Sequence, residues 1–209
     1  MSTPIIAVAS FAGGVGKTTL AHALAVASAE FGKKALLIDL DSTGALTFKL
    51  GHERTRENLI NCSERFDLRP HTATGSLTSL LSEIPAKYDL VLIDTPPLLS
   101  VELDQVFKAA RLLILPVRES IHSLRGALAV LKITSAPGKA LPYYVDNNSE
   151  LAQAISNELD LLDGQISIAP EVLAAEAKKV SVLTDAKNSE VAQQYRDATY
   201  SLLEELDIF

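Results

Sequence analysis

The chain has 209 residues, 47% of them apolar and 22% charged, which is the balance of a globular protein with a sizeable core and excludes a disordered chain. Nineteen basic against 26 acidic side chains leave a net charge of −7, so a polybasic binder of nucleic acid or membrane over the whole surface is excluded, while local basic patches are not. The single cysteine, Cys62, excludes an intrachain disulfide and a cysteine-clustered metal site, and fits a reducing cytoplasm.

No apolar run reaches the ~18 residues that a bilayer span needs. The opening Met1–Ser10 is apolar but lacks a basic flank, and a glycine loop follows directly, so it reads as a first strand and not as a signal peptide. Ile5–Ala9 is that strand. Leu20, Leu24, Ala27 and Phe31 then fall at helical spacing within Thr18–Phe31, and Gly32 ends the helix. Further strands are expected at Ala35–Leu40, Leu90–Ile93, Arg111–Val117, Ala140–Val145 and Gln165–Ala169. Helices are expected near 76–84, 101–109, 120–134, 149–161 and 188–206. Residues 51–75 are polar, mixed in charge and give no readable period. Alternating strands and helices argue for parallel βαβ units with right-handed crossovers, and the near-continuous apolar strands are those of a sheet buried on both faces. The expectation is an α/β fold in three layers, a mostly parallel twisted sheet with helices on both faces, forming one domain over 1–209.

The most informative segment, Ala12-Gly-Gly-Val-Gly-Lys-Thr-Thr19, joins the first strand to the first helix. Glycines let backbone N–H groups curl around anionic oxygens, and the helix N-terminus adds partial positive charge. The nucleotide-binding set is Gly13, Gly14, Val15, Gly16, Lys17, Thr18 and Thr19. Lys17 would reach the β- and γ-phosphates, the Thr18 hydroxyl would bind Mg²⁺, and Thr19 would lie near the α-phosphate. The full pattern G-x-x-x-x-G-K-[ST] is not met, since Phe11 holds its first glycine position. Asp39 and Asp41 follow the second strand and Asp94 ends the third. Ligands bind outside the carboxyl ends of parallel strands, so these acids converge on the phosphate loop, and Asp94 is placed to hold a magnesium water. His22, His52, His71 and His122 show no metal-ligand spacing, no serine sits in a G-x-S-x-G context, and no guanine-reading N-K-x-D follows a late strand, which favours adenine.

Gly13-Gly-Val-Gly-Lys-Thr-Thr19, Asp39-Leu-Asp41, Asp94-Thr-Pro-Pro97 and Ile114-Leu-Pro-Val117 resemble, in order and spacing, the deviant Walker P-loop ATPases of the ParA/MinD family. The fit is closest to small ParA proteins, which lack an N-terminal helix-turn-helix. Ile168–Ala177 resembles the family's late strand-and-turn region, and Asn188–Leu206 its C-terminal helix. The resemblance implies ATP and Mg²⁺ as cofactors and slow, partner-stimulated hydrolysis to ADP and phosphate. It assigns Lys17 to the phosphates, Asp41 to the attacking water, Asp39 to the first switch, Thr18 and (through water) Asp94 to the metal, and Thr95–Ser100 to the second switch. Asp146 or Asn147 falls where the family meets adenine. It further implies an ATP-dependent homodimer, non-specific DNA binding, a ParB-like adaptor, and a cytoplasmic, nucleoid-associated location.

Two departures stand out. The family's signature lysine position is Ala12, so its cation is missing or comes from elsewhere, with Arg118 and Arg125 nearby. The late-strand arginine position is Pro170. The remaining DNA-binding candidates are Lys178, Lys179, Lys187 and Arg196, interspersed with five acids between residues 165 and 200. A MinD-like membrane-cycling ATPase is the alternative, but it needs a basic amphipathic tail, and 201–209 is apolar and acidic, so no membrane partner is expected. A protein-only scaffold with weak hydrolysis is the other alternative.

Overall fold

A computed structural model describes residues 3–73, 76–82, 84–143 and 149–209. In chain order its strands are β1 (Ile5–Val8), β2 (Ala35–Asp39), β3 (Ile60–Asn61), β4 (Asp67–Arg69), β5 (Leu90–Asp94), β6 (Leu112–Arg118) and β7 (Gly138–Tyr143). The helices are α1 (Lys17–Glu30), α2 (Ala45–Lys49), α3 (Leu77–Ser82), α4 (Val101–Ala109), α5 (Ile121–Leu131), α6 (Glu150–Glu158), α7 (Pro170–Ala177), α8 (Val182–Asp185) and α9 (Glu190–Glu205). The strands form one sheet in the order β3-β4-β2-β5-β1-β6-β7, parallel throughout except for the antiparallel β3–β4 edge.

Because side chains alternate across each strand, one apolar set packs on each face. Ile6, Val8, Leu37, Leu90 and Leu92 meet Leu20 and Leu24 of α1 and Tyr195, Leu202 and Leu203 of α9. Ala7, Ile38, Val91, Ile93 and Leu115 meet Leu103 and Phe107 of α4 and Leu124 and Val130 of α5. The expected three-layer α/β architecture is therefore present.

Gln165–Ala169 is not a strand. Among the described residues its one sheet contact is an isolated bridge from Ile166 to Tyr143, after which Pro170 opens α7. Proline at a first helical position costs no hydrogen bond and is already set for helix, which explains the turn out of extended structure. The segment resembling a strand and turn, Ile168–Ala177, is thus mostly helical. The unreadable stretch 51–75 contains β3 and β4. Asp67 on β4 is buried, yet its carboxylate accepts from Asn61 Nδ2 (2.8 Å), Lys87 Nζ (2.7 Å) and Tyr88 Oη (2.7 Å). A polar side chain with three donors holds a place where apolar periodicity would be sought.

Sheet order sets the site. The chain leaves β1 with β5 on one side and β6 on the other, the arrangement in which a crevice opens at the strands' carboxyl ends. The loops after β1, β2, β5 and β6 all emerge there.

Candidate nucleotide site

Five helices among the described residues begin with a serine whose hydroxyl accepts from a backbone N–H of the first turn: Ser100 for α4, Ser120 for α5, Ser149 for α6, Ser181 for α8 and Ser189 for α9. Helix α1 does not. Its N-cap is Gly16, at φ 104°, with no side-chain cap. Gly14 is also left-handed, at φ 70°. These backbone angles favour glycine and turn the loop's N–H groups toward a common space. A Cβ added at Gly13 or Gly14 would meet nothing within 4 Å, so that space is open. The loop and the uncapped helix make an anion cradle.

The cradle forms the floor of a cavity of about 730 Å³. Gly13 through Thr19, Asp41, Thr95, Pro97, Arg118, Tyr143, Ser167–Pro170, Val172, Leu173, Glu176 and Tyr195 line it. One end carries phosphate-type donors. The other carries apolar and aromatic surface, with Ile168 and Leu173 each about 70% exposed, as a planar base would require.

Lys17 is buried and its Nζ donates to the Ala12 carbonyl at 3.3 Å, curled over its own loop. Burial lowers its pKa, while Asp94 and Asp41 pull it back up. Asp94 sits beneath the loop, and neither of its carboxylate oxygens has a hydrogen-bond partner among the described residues. Burial pushes its carboxyl up to about 7. The Thr18 hydroxyl beside it, which lies outside hydrogen-bond geometry, and Lys17 act the other way. Buried oxygens without donors suit a metal-bound water, and with Thr18 they form the oxygen donor set that Mg²⁺ takes.

Asp41 lines the cavity and caps its own turn, its Oδ1 accepting from Thr43 N at 2.8 Å. Asp39 is not a cavity residue. Its Oδ2 accepts from Thr47 N (2.8 Å) and Thr47 Oγ1 (2.5 Å) and its Oδ1 from Asp41 N (3.2 Å). It therefore ties the end of β2 to α2 and fixes the loop that carries Asp41. Asp146 and Asn147 lie outside the described residues.

The basic candidates lie away from the cavity. Lys178 Nζ pairs with Asp185 (2.7 Å), Lys179 with Glu53 (3.6 Å), and Arg196 with Glu30 (2.6 Å). Lys187 is exposed and makes no ion pair among the described residues.

Two features of the site escaped the sequence reading. Glu176 Oε1 accepts from Thr19 Oγ1 (2.6 Å) and from Lys49 Nζ (2.6 Å), joining α1, α2 and α7 at the cavity rim. Tyr143 and Tyr195 form the back wall, their hydroxyls 3.3 Å apart. Both depend on contacts between distant segments and leave no local signature. Arg118 faces the cavity, whereas Arg125 is not part of its lining.

The chain belongs to the CobQ/CobB/MinD/ParA nucleotide-binding domain family, whose sequence model matches residues 6–197. Among characterised proteins, it is 35% identical to the chromosome-partitioning ATPase Soj of Thermus thermophilus, over 60% of this chain and 59% of Soj. It is 31% identical to an uncharacterized ATP-binding protein of Methanocaldococcus jannaschii, over 91% of this chain and 84% of that one. Its fold matches that of the septum site-determining protein MinD of Pyrococcus horikoshii, solved with Mg-ADP, at a TM-score of 0.83 and 21% identity, covering 99% of this chain and 98% of MinD.

Proposed function

We propose that this protein is an ATP-driven partition or positioning switch of the ParA type. The observation that carries the reading is the buried, donor-free Asp94 carboxylate beneath an uncapped, glycine-cradled Lys17-Thr18 helix start. That combination suits a magnesium nucleotide and is expensive to maintain without one.

Gly13, Gly14, Val15 and Gly16 would hold the phosphates through backbone N–H groups, with Lys17 on the terminal ones. Thr18, and Asp94 through water, would hold the ion, which would supply positive charge to the phosphates. Asp41 would orient the attacking water from a loop that Asp39 keeps rigid. The product of such a cycle is a change of state rather than a metabolite: an ATP-bound homodimer that binds DNA without reading its sequence and is released when a ParB-like adaptor stimulates hydrolysis. The partition role is supported by the likeness to the chromosome-partitioning ATPase Soj, which spans only part of that protein.

Equilibrium binding and turnover with purified protein test the reading. ATP binding should need Mg²⁺ and vanish in Lys17→Ala. Asp41→Ala should bind ATP normally and fail to hydrolyse it. Undiminished ATP affinity in Lys17→Ala would remove the phosphate-loop assignment, and normal hydrolysis in Asp41→Ala would give the water to another residue.

A further inference from the structure

Charge around the cavity is unevenly answered. Two cations, Lys17 and Arg118, line it among the described residues. Lys17 sits in the field of Asp94 and Asp41. Glu176 is answered by Lys49. Arg118 is exposed and makes no ion pair among the described residues, although it ends a strand beside a cavity built for anions. Its backbone is fixed: the Arg118 N–H donates to Ser123 Oγ at 2.8 Å, and its position in β6 pairs with Tyr143 of β7. An anchored main chain with a free guanidinium is suited to reach into the cavity.

The phosphate loop offers no second cation. Ala12 is fully buried under α5, where a Cβ on Gly126 would lie 2.6 Å from the Ala12 nitrogen. Phosphoryl transfer develops charge on three equatorial oxygens, and an arginine aimed at them raises turnover by ~10³–10⁵-fold.

We infer that Arg118 is a catalytic residue that contacts the terminal phosphoryl group of the nucleotide and stabilises the charge developing there. The inference rests on the nucleotide-hydrolysis reading above and adds to it the group that discriminates triphosphate from diphosphate.

The test compares wild type, Arg118→Ala and Arg118→Lys, each checked for folding by thermal melting. Affinities for a fluorescent ADP and for a non-hydrolysable ATP analogue are measured with Mg²⁺, then hydrolysis in a single turnover. In Arg118→Ala the ADP affinity should stay within about twofold, while the analogue should bind about tenfold or more weakly, the size of a lost hydrogen bond to a charged group. The single-turnover rate should fall by ~10³. Arg118→Lys should recover part of the triphosphate preference but little of the rate, since an ammonium is a point charge without the planar fork. An analogue-to-ADP affinity ratio unchanged in Arg118→Ala overturns the inference while the nucleotide reading stands. Wild-type protein that binds neither nucleotide overturns both.

Discussion

Asp94 shows what burying an unpartnered carboxylate costs in stability. A carboxylate buried without donors is disfavoured when charged, so its folded pKa, about 7, lies above its ordinary 3.8. Between those values the unfolded chain has released the proton and the folded chain still holds it. Stability therefore falls as pH rises through this window, and levels off above pH 7. The total is on the order of 4 kcal/mol. Asp94→Asn removes the charge while keeping the shape. In magnesium-free buffer at pH 8, the variant should be more stable than wild type by a few kcal/mol in urea unfolding, and at pH 4 the two should nearly coincide. The same substitution should abolish magnesium-dependent nucleotide binding. Equal stabilities at pH 8 would mean that the carboxylate finds a partner in solution. Lys17, Thr18 and Asp94 were legible in the sequence because loop chemistry and strand ends are local signals. Glu176 was not, because its importance comes from Thr19 and Lys49, which lie 157 and 127 residues away.

Elements were legible in proportion to how far their own residues decide them. Helix α4 runs Val101–Ala109, coinciding with its sequence expectation of 101–109, because Ser100 caps it and Leu103, Val106 and Phe107 give a clean buried face. Strands β3 and β4 were not, since β4 buries an aspartate whose donors come from Asn61, Lys87 and Tyr88. Helix α5 carries a constraint that propensity alone would misjudge. Gly126 is buried in its middle, where alanine should gain ~1 kcal/mol of helix stability. Yet the added Cβ would lie 2.6 Å from Ala12 N, 2.7 Å from Ala12 Cβ and 3.0 Å from Ser10 Oγ. Two of the three atoms belong to the residue that starts the phosphate loop, and one is backbone, which cannot swing aside. Overpacking of this kind costs ~1–3 kcal/mol, so the clash outweighs the propensity gain. Gly126→Ala should lower the melting temperature and weaken nucleotide binding together, although residue 126 touches no nucleotide. A variant that is stabilised and binds normally would show that α5 can move off the loop freely.

At the scale of the whole molecule, a chain of net charge −7 must concentrate its cations to hold DNA. Lys178, Lys179 and Arg196 are each answered by an acid, Asp185, Glu53 and Glu30, leaving Lys187 exposed. A phosphate must therefore compete with a carboxylate at three of the four positions, which lowers affinity without removing the cations. In an ATP-bound dimer the set doubles, and if about six cations met phosphates, log K would fall with log[salt] at a slope of roughly −5. Binding should be detectable at low salt with ATP, lost well above physiological ionic strength, and indifferent to sequence, since phosphate contacts carry no base information. The competing acids make a sharper test. The Lys178–Asp185 pair is largely exposed on the lysine side and should be worth less than ~1 kcal/mol in the fold. Asp185→Asn should then strengthen DNA binding by releasing Lys178, whereas Lys178→Glu combined with Lys179→Glu should abolish it and leave ATP affinity intact. Tighter binding in the first variant and none in the second would place the DNA on this surface. No change in either would move the interface elsewhere, and no binding by wild type in low salt with ATP would favour a scaffold made of protein alone.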